Sequence, residues 1–585
     1  MATTFTDRRP FPIHDLPNEI VDNVLTLSIP KELTDPAPGS GRTFRAFLER
    51  TGVRDYPRLL NPVCRKWRTL VHRNATIWSY VFVGAVKSDG YGYFPEYYDE
   101  PLTLSKDKPL SLVCIVGNMS ISDVLSSPLF APHASRVRML CVHVLGFDYT
   151  DPVFPLFEKI ATPALEVLRI YDTEDVDESW GNYREWRGIL YSPPRLSELS
   201  LAGFRRGLDS FALTHVGKKA GIDWSRLTVL RLPNIPCRAS DLLFVVSTNM
   251  QLQVFQCTVF GHPEDEELCP AEFSEPLSDS EDDFSDGEDE ADYTEEDRQD
   301  AAARRLRRDS RPERRREYQA MMGPHLLPDL SELHLEVAHH PDYEPDVSWR
   351  RRGRNVDERS GMAIFLEGLN TPALSTLAIS TTNGLVHDTL DSDIEDHEDA
   401  LDDQEHGTGA FVLAPLLSDL IERSQCTIRY LSLSRLFVSL PELLGIIELC
   451  QHLRSLRLNR PLRFMRGSLL DGLAARNGRL RAPELRRLVI ESRTQTMFTG
   501  IKTSDILYMI DTRWPPGWSD TEVAYVKVVH CPSAEYDPRR KHSKDALEAT
   551  TRAWLASTRA RKDIKVTITE LPRSRAWVSS VRLGV

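Results

Sequence analysis

Pro483-Glu484-Leu485-Arg486-Arg487-Leu488-Val489-Ile490 spaces its apolar residues by three and then by two, and this Leu-x-x-Leu-x-Leu/Ile pattern recurs along the chain. Seven copies are found, with first leucines at Leu165, Leu196, Leu227, Leu330, Leu374, Leu453 and Leu485. Five of the seven have a proline two residues earlier (Pro163, Pro194, Pro328, Pro372 and Pro483). Proline cannot donate a backbone hydrogen bond, so the pattern reads as a helix stopped by proline and followed by a short strand. Looser copies at Val137-Leu140-Val142, Leu252-Phe255-Cys257, Ile428-Leu431-Leu433 and Val523-Val526-Val528 fill the intervals. From Val137 to Leu485 the copies are 25 to 32 residues apart except for gaps of 78, 44 and 54. The short interval accommodates one strand and one helix. A unit of that size cannot bury its own apolar face, so neighbours must stack their strands in parallel and share a leucine column.

The exceptional gaps hold charged insertions. From Glu264 to Asp297 there are 18 acidic residues and no Lys or Arg, and an Arg-rich stretch follows. Residues 264 to 320 therefore carry a net charge of −13, against −14 for the whole chain, so the rest is close to neutral. The acidity belongs to one segment. With few apolar residues and strong self-repulsion, that segment reads as a solvated loop. Its Ser278, Ser280 and Ser285 lie among acids and are phosphorylation candidates. A second acidic loop spans residues 387–408; its Asp391-x-Asp393-x-Glu395 lacks the glycine of a calcium loop.

The 585 residues exclude a single small domain, and no run approaches the roughly 18 apolar residues of a membrane span. The nine cysteines form no Cys-x-x-Cys pair, which fits a reduced compartment, cytoplasmic or nuclear, and no metal site. Cys141 and Cys257 fall inside repeat strands and read as packing residues. Nucleophile elbow, P-loop, His-Glu-x-x-His and dinucleotide fingerprints are all absent, so no catalytic residue and no cofactor is assigned.

At the N-terminus, Leu16-Pro17-Asn18-Glu19-Ile20 opens a helical pattern continued by Val21, Val24, Leu25 and Leu27. Val63-Cys64-Arg65-Lys66-Trp67-Arg68-Thr69-Leu70 and Ala75-Thr76-Ile77-Trp78 follow. These three pieces, in this order, resemble the F-box. Taken with the leucine-rich periodicity, the chain resembles the fungal-type F-box proteins with leucine-rich repeats. The resemblance implies an α/β fold in which an N-terminal helical unit precedes an irregular leucine-rich-repeat solenoid with parallel strands. The expected boundaries are 12–82 for the F-box-like unit, with an insertion at about 30–58, and 100–261 for the first repeats. The charged insertion is placed at 262–320, further repeats at 321–532 and a helix/strand tail at 533–585.

The same resemblance implies the substrate-recognition subunit of an SCF-type ubiquitin ligase, a non-enzymatic receptor docking a Skp-family adaptor and its cullin. It carries adaptor binding onto Leu16, Pro17, Ile20, Leu25, Val63, Cys64 and Trp67. The protein substrate is not named by the sequence, and neither a membrane nor nucleic acid is expected as a partner. A repeat scaffold that works without ubiquitination, the nucleus included as its place of action, stays open as an alternative.

Within each strand the leucines point one way, so the residue between the last two points to the opposite face. Read along the chain, that position gives Cys141, Arg169, Ser200, Arg231, Gln256, His334, Ala378, Ser432, Arg457 and Val489. Arg169, Tyr171, Arg231, Arg457 and Asn459 are accordingly the substrate-binding candidates, suited to acidic or phosphorylated groups.

Overall fold

The computed structural model describes residues 16–30, 33, 56–85, 96–116, 127–144, 162–172, 194–202, 224–260, 324–338, 361–381, 413–434, 440–459, 468–474, 480–491, 503–514, 524–530 and 564–570. The protein is mixed α/β with extensive parallel sheet. The chain forms two units, Met1–Ile235 and Pro236–Val585.

The first unit opens with helix α1 (Asn18–Leu27), a 3-10 turn at Arg58–Leu60, α2 (Arg65–Arg73) and α3 (Ala75–Trp78). Then come β1 (Tyr80–Ala85), α4 (Glu96–Leu104), β2 (Leu110–Val116), β3 (Val137–Val144), β4 (Val167–Asp172), β5 (Glu198–Ala202) and β6 (Val229–Arg238), within which the chain passes to the second unit. Neighbours in sequence are neighbours in the sheet, all parallel. Leu112, Leu140, Leu168, Leu199 and Leu230 lie in register and are all buried, so the leucine periodicity is one column through the core. Each such side chain contributes about 1.5–3 kcal/mol on burial.

The second unit repeats this scheme. Its elements are α5 (Ala239–Thr248), β7 (Val254–Phe260), β8 (His325–Leu326), β9 (Glu332–Ala338), α6 (Gly361–Glu367), β10 (Leu369–Asn370) and β11 (Thr376–Thr381). They continue as α7 (Leu413–Ser424), β12 (Tyr430–Ser434), α8 (Leu440–Leu449), β13 (Ser455–Asn459), α9 (Ser468–Leu473), β14 (Arg487–Glu491), α10 (Thr503–Arg513), β15 (Ala524–His530) and β16 (Ile564–Glu570). Strands β7, β9 and β11 to β16 are parallel in that order, while β8 and β10 form a separate pair. The column Phe255, Leu333, Leu377, Leu431, Leu456, Leu488 and Val526 is buried throughout. Helices α5 to α10 each pack on the next. Gly368 permits the α5–α6 approach: a Cβ there would meet the buried Leu243 Cδ2 at 2.5 Å.

The prolines act differently from expectation. The amide of Leu165 donates to Thr162 O at 3.1 Å, that of Leu374 to Thr371 O at 3.1 Å and that of Leu485 to Ala482 O at 3.0 Å. Pro163, Pro372 and Pro483 thus occupy the second position of a β-turn, which their fixed φ suits, and do not directly end a helix. The backbone entering these strands also bonds to the preceding repeat: Ser197 N to Glu166 O at 2.9 Å, Arg454 N to Arg429 O at 2.8 Å and Arg486 N to Arg454 O at 2.9 Å. These bonds satisfy main-chain groups that the strands alone would leave unpaired.

Arginines fasten helix ends in the same manner. Arg423 donates to Leu366 O and Leu369 O at 2.8 and 2.9 Å. Arg513 is buried against Leu473 O at 2.9 Å and the Arg481 and Ala482 carbonyls, and burial lowers its pKa to about 10. Strand β16 pairs with β15, so the sheet continues past the expected boundary at 533. Strands β1 and β2 likewise extend it ahead of the first repeat read at Val137. Both charged insertions, with Ser278, Ser280 and Ser285, lie outside the described residues.

Candidate docking surfaces

Two surfaces were singled out by the sequence, one at each end of the argument. The N-terminal helices pack around Val21, Leu25, Leu70, Val71, Ile77 and Trp78, flanked by Leu16, Leu60 and Trp67. Trp78 Nε1 donates to Val71 O at 2.7 Å, which lets the largest side chain be fully buried. Asn74 caps α3 through Oδ1, accepting from Thr76 N at 3.1 Å. Cys64 caps α2, its Sγ accepting from Trp67 N at 3.4 Å. Lys66 Nζ donates to Leu16 O at 2.7 Å and so holds the start of α1 beside α2.

This arrangement sorts the seven adaptor candidates. Pro17 is exposed at the N-cap of α1, Ile20 is 46% exposed and Val63 is 52% exposed. Leu16, Cys64 and Trp67 are half-buried. Leu25 is corrected: it is fully buried, four residues after Val21 on the stripe facing the unit's own core, and has no surface to offer a partner. The exposed apolar stripe of α1 is instead Ile20, Val24 at 43% and Leu27 at 86%, with Leu59 at 53% on the following turn. Val24, Leu27 and Leu59 were not among the candidates. Of the ten large apolar side chains exposed among the described residues, five lie between Ile20 and Val63. An apolar concentration of that kind marks a surface meant to be covered.

The strand face opposite the leucine column has the register expected of it. Cys141, Arg169, Ser200 and Arg231 are in line in the first unit, and Gln256, His334, Ala378, Ser432, Arg457 and Val489 in the second. Its character differs from expectation in the first unit. Val113, Ile115, Met139, Cys141, Tyr171 and Ala202 form a buried cluster with Leu33, and Ile29 and Tyr56 pack against it. Ile29, Leu33 and Tyr56 therefore cover part of this face. Tyr171 is buried, its hydroxyl pKa pushed up to about 12 chiefly by that burial.

Arg169 is buried and bonds Glu198 through Nε at 2.8 Å and Nη2 at 2.7 Å; Arg231 Nη1 reaches the same carboxylate at 2.9 Å. Glu198 stands two residues before Ser200 and shares its face, so the arginines expected to meet an acidic substrate already share an internal anion. In the second unit Arg457 is open, its side chain 55% exposed against 10% for Arg169. Arg457 lies 3.2 Å from Glu491, which also accepts from Lys527 at 2.5 Å. Burial raises the Glu491 pKa, but the hydrogen bonds from Lys527 and Arg457 outweigh it and leave the carboxyl below its usual range. Asn459 is half-buried on the same face.

Thiol chemistry finds no support at these positions. Cys141 Sγ lies 3.5 Å from His143 Nε2, yet both are fully buried. Burial drives the thiol pKa well above normal and the imidazole pKa down to about 3, the reverse of an ion-pair nucleophile. Cys114 at about 12, Cys426 at about 11 and Cys450 at about 12 are shifted the same way by burial, as is Cys257. Among the described residues no three His, Cys, Asp or Glu side chains converge as metal ligands. No described helix is long and apolar enough to cross a membrane. Compared with known proteins, the chain matches no family model and no curated relative.

Proposed function

We propose that this chain is the substrate-recognition subunit of an SCF-type ubiquitin ligase, its N-terminal helices an F-box docking a Skp-family adaptor and its sheet a leucine-rich-repeat solenoid presenting substrate. What supports the reading most is the exposed stripe Ile20, Val24 and Leu27 on a helix whose other face, Val21 and Leu25, is wholly buried. A helix that has filled its own core and still shows three large apolar side chains gains by being covered. The order of the Leu-Pro start, the Val-Cys-Arg-x-Trp helix and the Ile-Trp turn adds to it. A receptor of this kind contributes binding alone, and the conjugating enzyme supplies the chemistry.

The test is co-purification of the full chain with a Skp-family adaptor and cullin. Ile20→Glu with Val24→Glu abolishes capture, because each charge enters an apolar interface at a cost of about 2 kcal/mol or more. The melting temperature stays near that of the parent, since both positions are exposed. Adaptor capture undiminished in that variant removes the assignment. Capture of neither adaptor nor cullin by the parent chain favours a scaffold without ubiquitination.

A further inference from the structure

The open face of the second unit carries more positive charge than its own carboxylates answer. In one register column Arg457, Val489 and Lys527 are adjacent; in the neighbouring column, two residues earlier on each strand, stand Arg487, Tyr525 and Lys565. Four cations thus share one face of β13 to β16. Glu491 is the carboxylate among them, and it already serves both Arg457 and Lys527. Neither Arg487 nor Lys565 forms an ion pair among the described residues. Arg487 instead lies over the Tyr525 ring, 5.3 Å from its centroid, which orients the planar guanidinium fork before any ligand arrives. Tyr430, on β12 in the same column, is exposed and supplies an aromatic wall. From β12 to β16 the face spans four strand spacings, roughly 19 Å.

We propose that this face binds a short acidic peptide segment of a partner protein, through Asp and Glu carboxylates taken by Arg457, Arg487, Lys527 and Lys565. The proposal rests on the reading of the sheet as the substrate-presenting element, and moves recognition away from Arg169 and Arg231, whose charge Glu198 already holds. Charge complementarity selects the ligand. A surplus of three positive charges over this span matches a few carboxylates and falls short of the roughly six to ten phosphate contacts of a duplex-binding protein.

The experiment uses the full chain and fluorescein-labelled decaglutamate, followed by anisotropy at low and high salt. Decalysine, a ten-residue oligothymidylate and phosphatidylserine vesicles are run alongside. Saturable decaglutamate binding that weakens with salt is expected. Arg457→Glu with Lys527→Glu weakens it about tenfold. Arg487→Gln, at an exposed position that the fold does not need, weakens it severalfold. Glu491→Gln has the opposite sign: it removes the competing carboxylate and tightens binding severalfold. Decaglutamate binding that is absent, or indifferent to Arg487→Gln and Glu491→Gln, overturns the proposal, as does tighter binding of the oligonucleotide or vesicles. Adaptor capture is measured on the same preparations. Peptide binding with the expected variant pattern but no adaptor capture leaves this site standing and removes the ligase reading; adaptor capture without peptide binding does the reverse.

Discussion

The same register column is buried at Cys141, Arg169 and Ser200 in one unit and, Val489 apart, half-exposed or open in the other. Ser200, between Arg169 and Arg231 on β5, is buried; Ser432, between Ala378 and Arg457 on β12, is half-exposed. Both serines sit at one position of one repeated pattern, and both strands bury their leucines on the opposite face. The difference comes from the cover. In the first unit Leu33, with Ile29 and Tyr56, lies against the face, while in the second the described side chains leave Arg457 and Tyr430 in solvent. A repeat pattern thus sets which way a residue points, and a segment remote in sequence sets whether that direction is inside or outside.

The sharpest break of this comparison is one substitution made twice. Ser200→Asp buries a carboxylate beside Glu198 and is expected to cost the first unit about 4 kcal/mol. Ser432→Asp, half-exposed and next in register to Arg457, stays within about 0.5 kcal/mol. Denaturant unfolding of the two variants reads both values. Equal costs would mean that the two faces do not differ.

A smaller contrast compares the two carboxylates. Glu198→Gln leaves the buried Arg169 guanidinium without its counter-ion and costs about 2–3 kcal/mol. Glu491 is itself buried, but Glu491→Gln leaves Arg457 and Lys527, with side chains 55% and 33% exposed, reachable by water, and costs less, about 1 kcal/mol. The comparison also bears on how recognition can be tested. Reversing the charge of Arg169 is a stability experiment, because the side chain is part of a packed interior.

Much of this was legible in the residues. Seven leucine patterns located parallel strands, and their spacing aligned the outward column with the register observed on both units. Strand β1 escaped because Tyr80–Ala85 has valines where leucines were sought, while β2, inside the expected 100–261 repeats, is apolar on both faces. That double-sided composition was itself a sign of cover. Glu198 and Glu491 were legible by the same rule that gives Tyr171 and Asn459: each lies two residues from a column position and therefore on its face. The cover itself could not be found, since Leu33 and Tyr56 join the face only through the fold. On α1, the choice between Leu25 and Val24 depended on which stripe meets α2 and α3, a fact of packing that four-residue spacing alone does not decide.

The last of the expected contrasts is in pH. His143 lies on the covered face of β3, fully buried, with Cys141 Sγ at 3.5 Å and the Tyr171 ring centroid 5.1 Å away. Those two groups stay neutral near pH 7 because burial raises both their pKa values, and burial lowers the imidazole to about 3 from an ordinary 6.5. The folded state thus binds fewer protons than the unfolded chain between these limits. Its stability is complete above about pH 6.5 and is lost as pH falls toward 3, by linkage. Between pH 7 and pH 5 the loss is about 2 kcal/mol from this residue alone. On the open face of the second unit His334, at the position that corresponds to Cys141, is half-exposed, 3.8 Å from Glu332. His143→Phe should flatten the acid limb of stability over this window, whereas His334→Phe should leave it as it is. Urea unfolding at pH 7 and pH 5 measures both; an unchanged slope in His143→Phe would show that the imidazole accepts its proton without leaving the interior, and that the first unit's face is more open than its packing indicates.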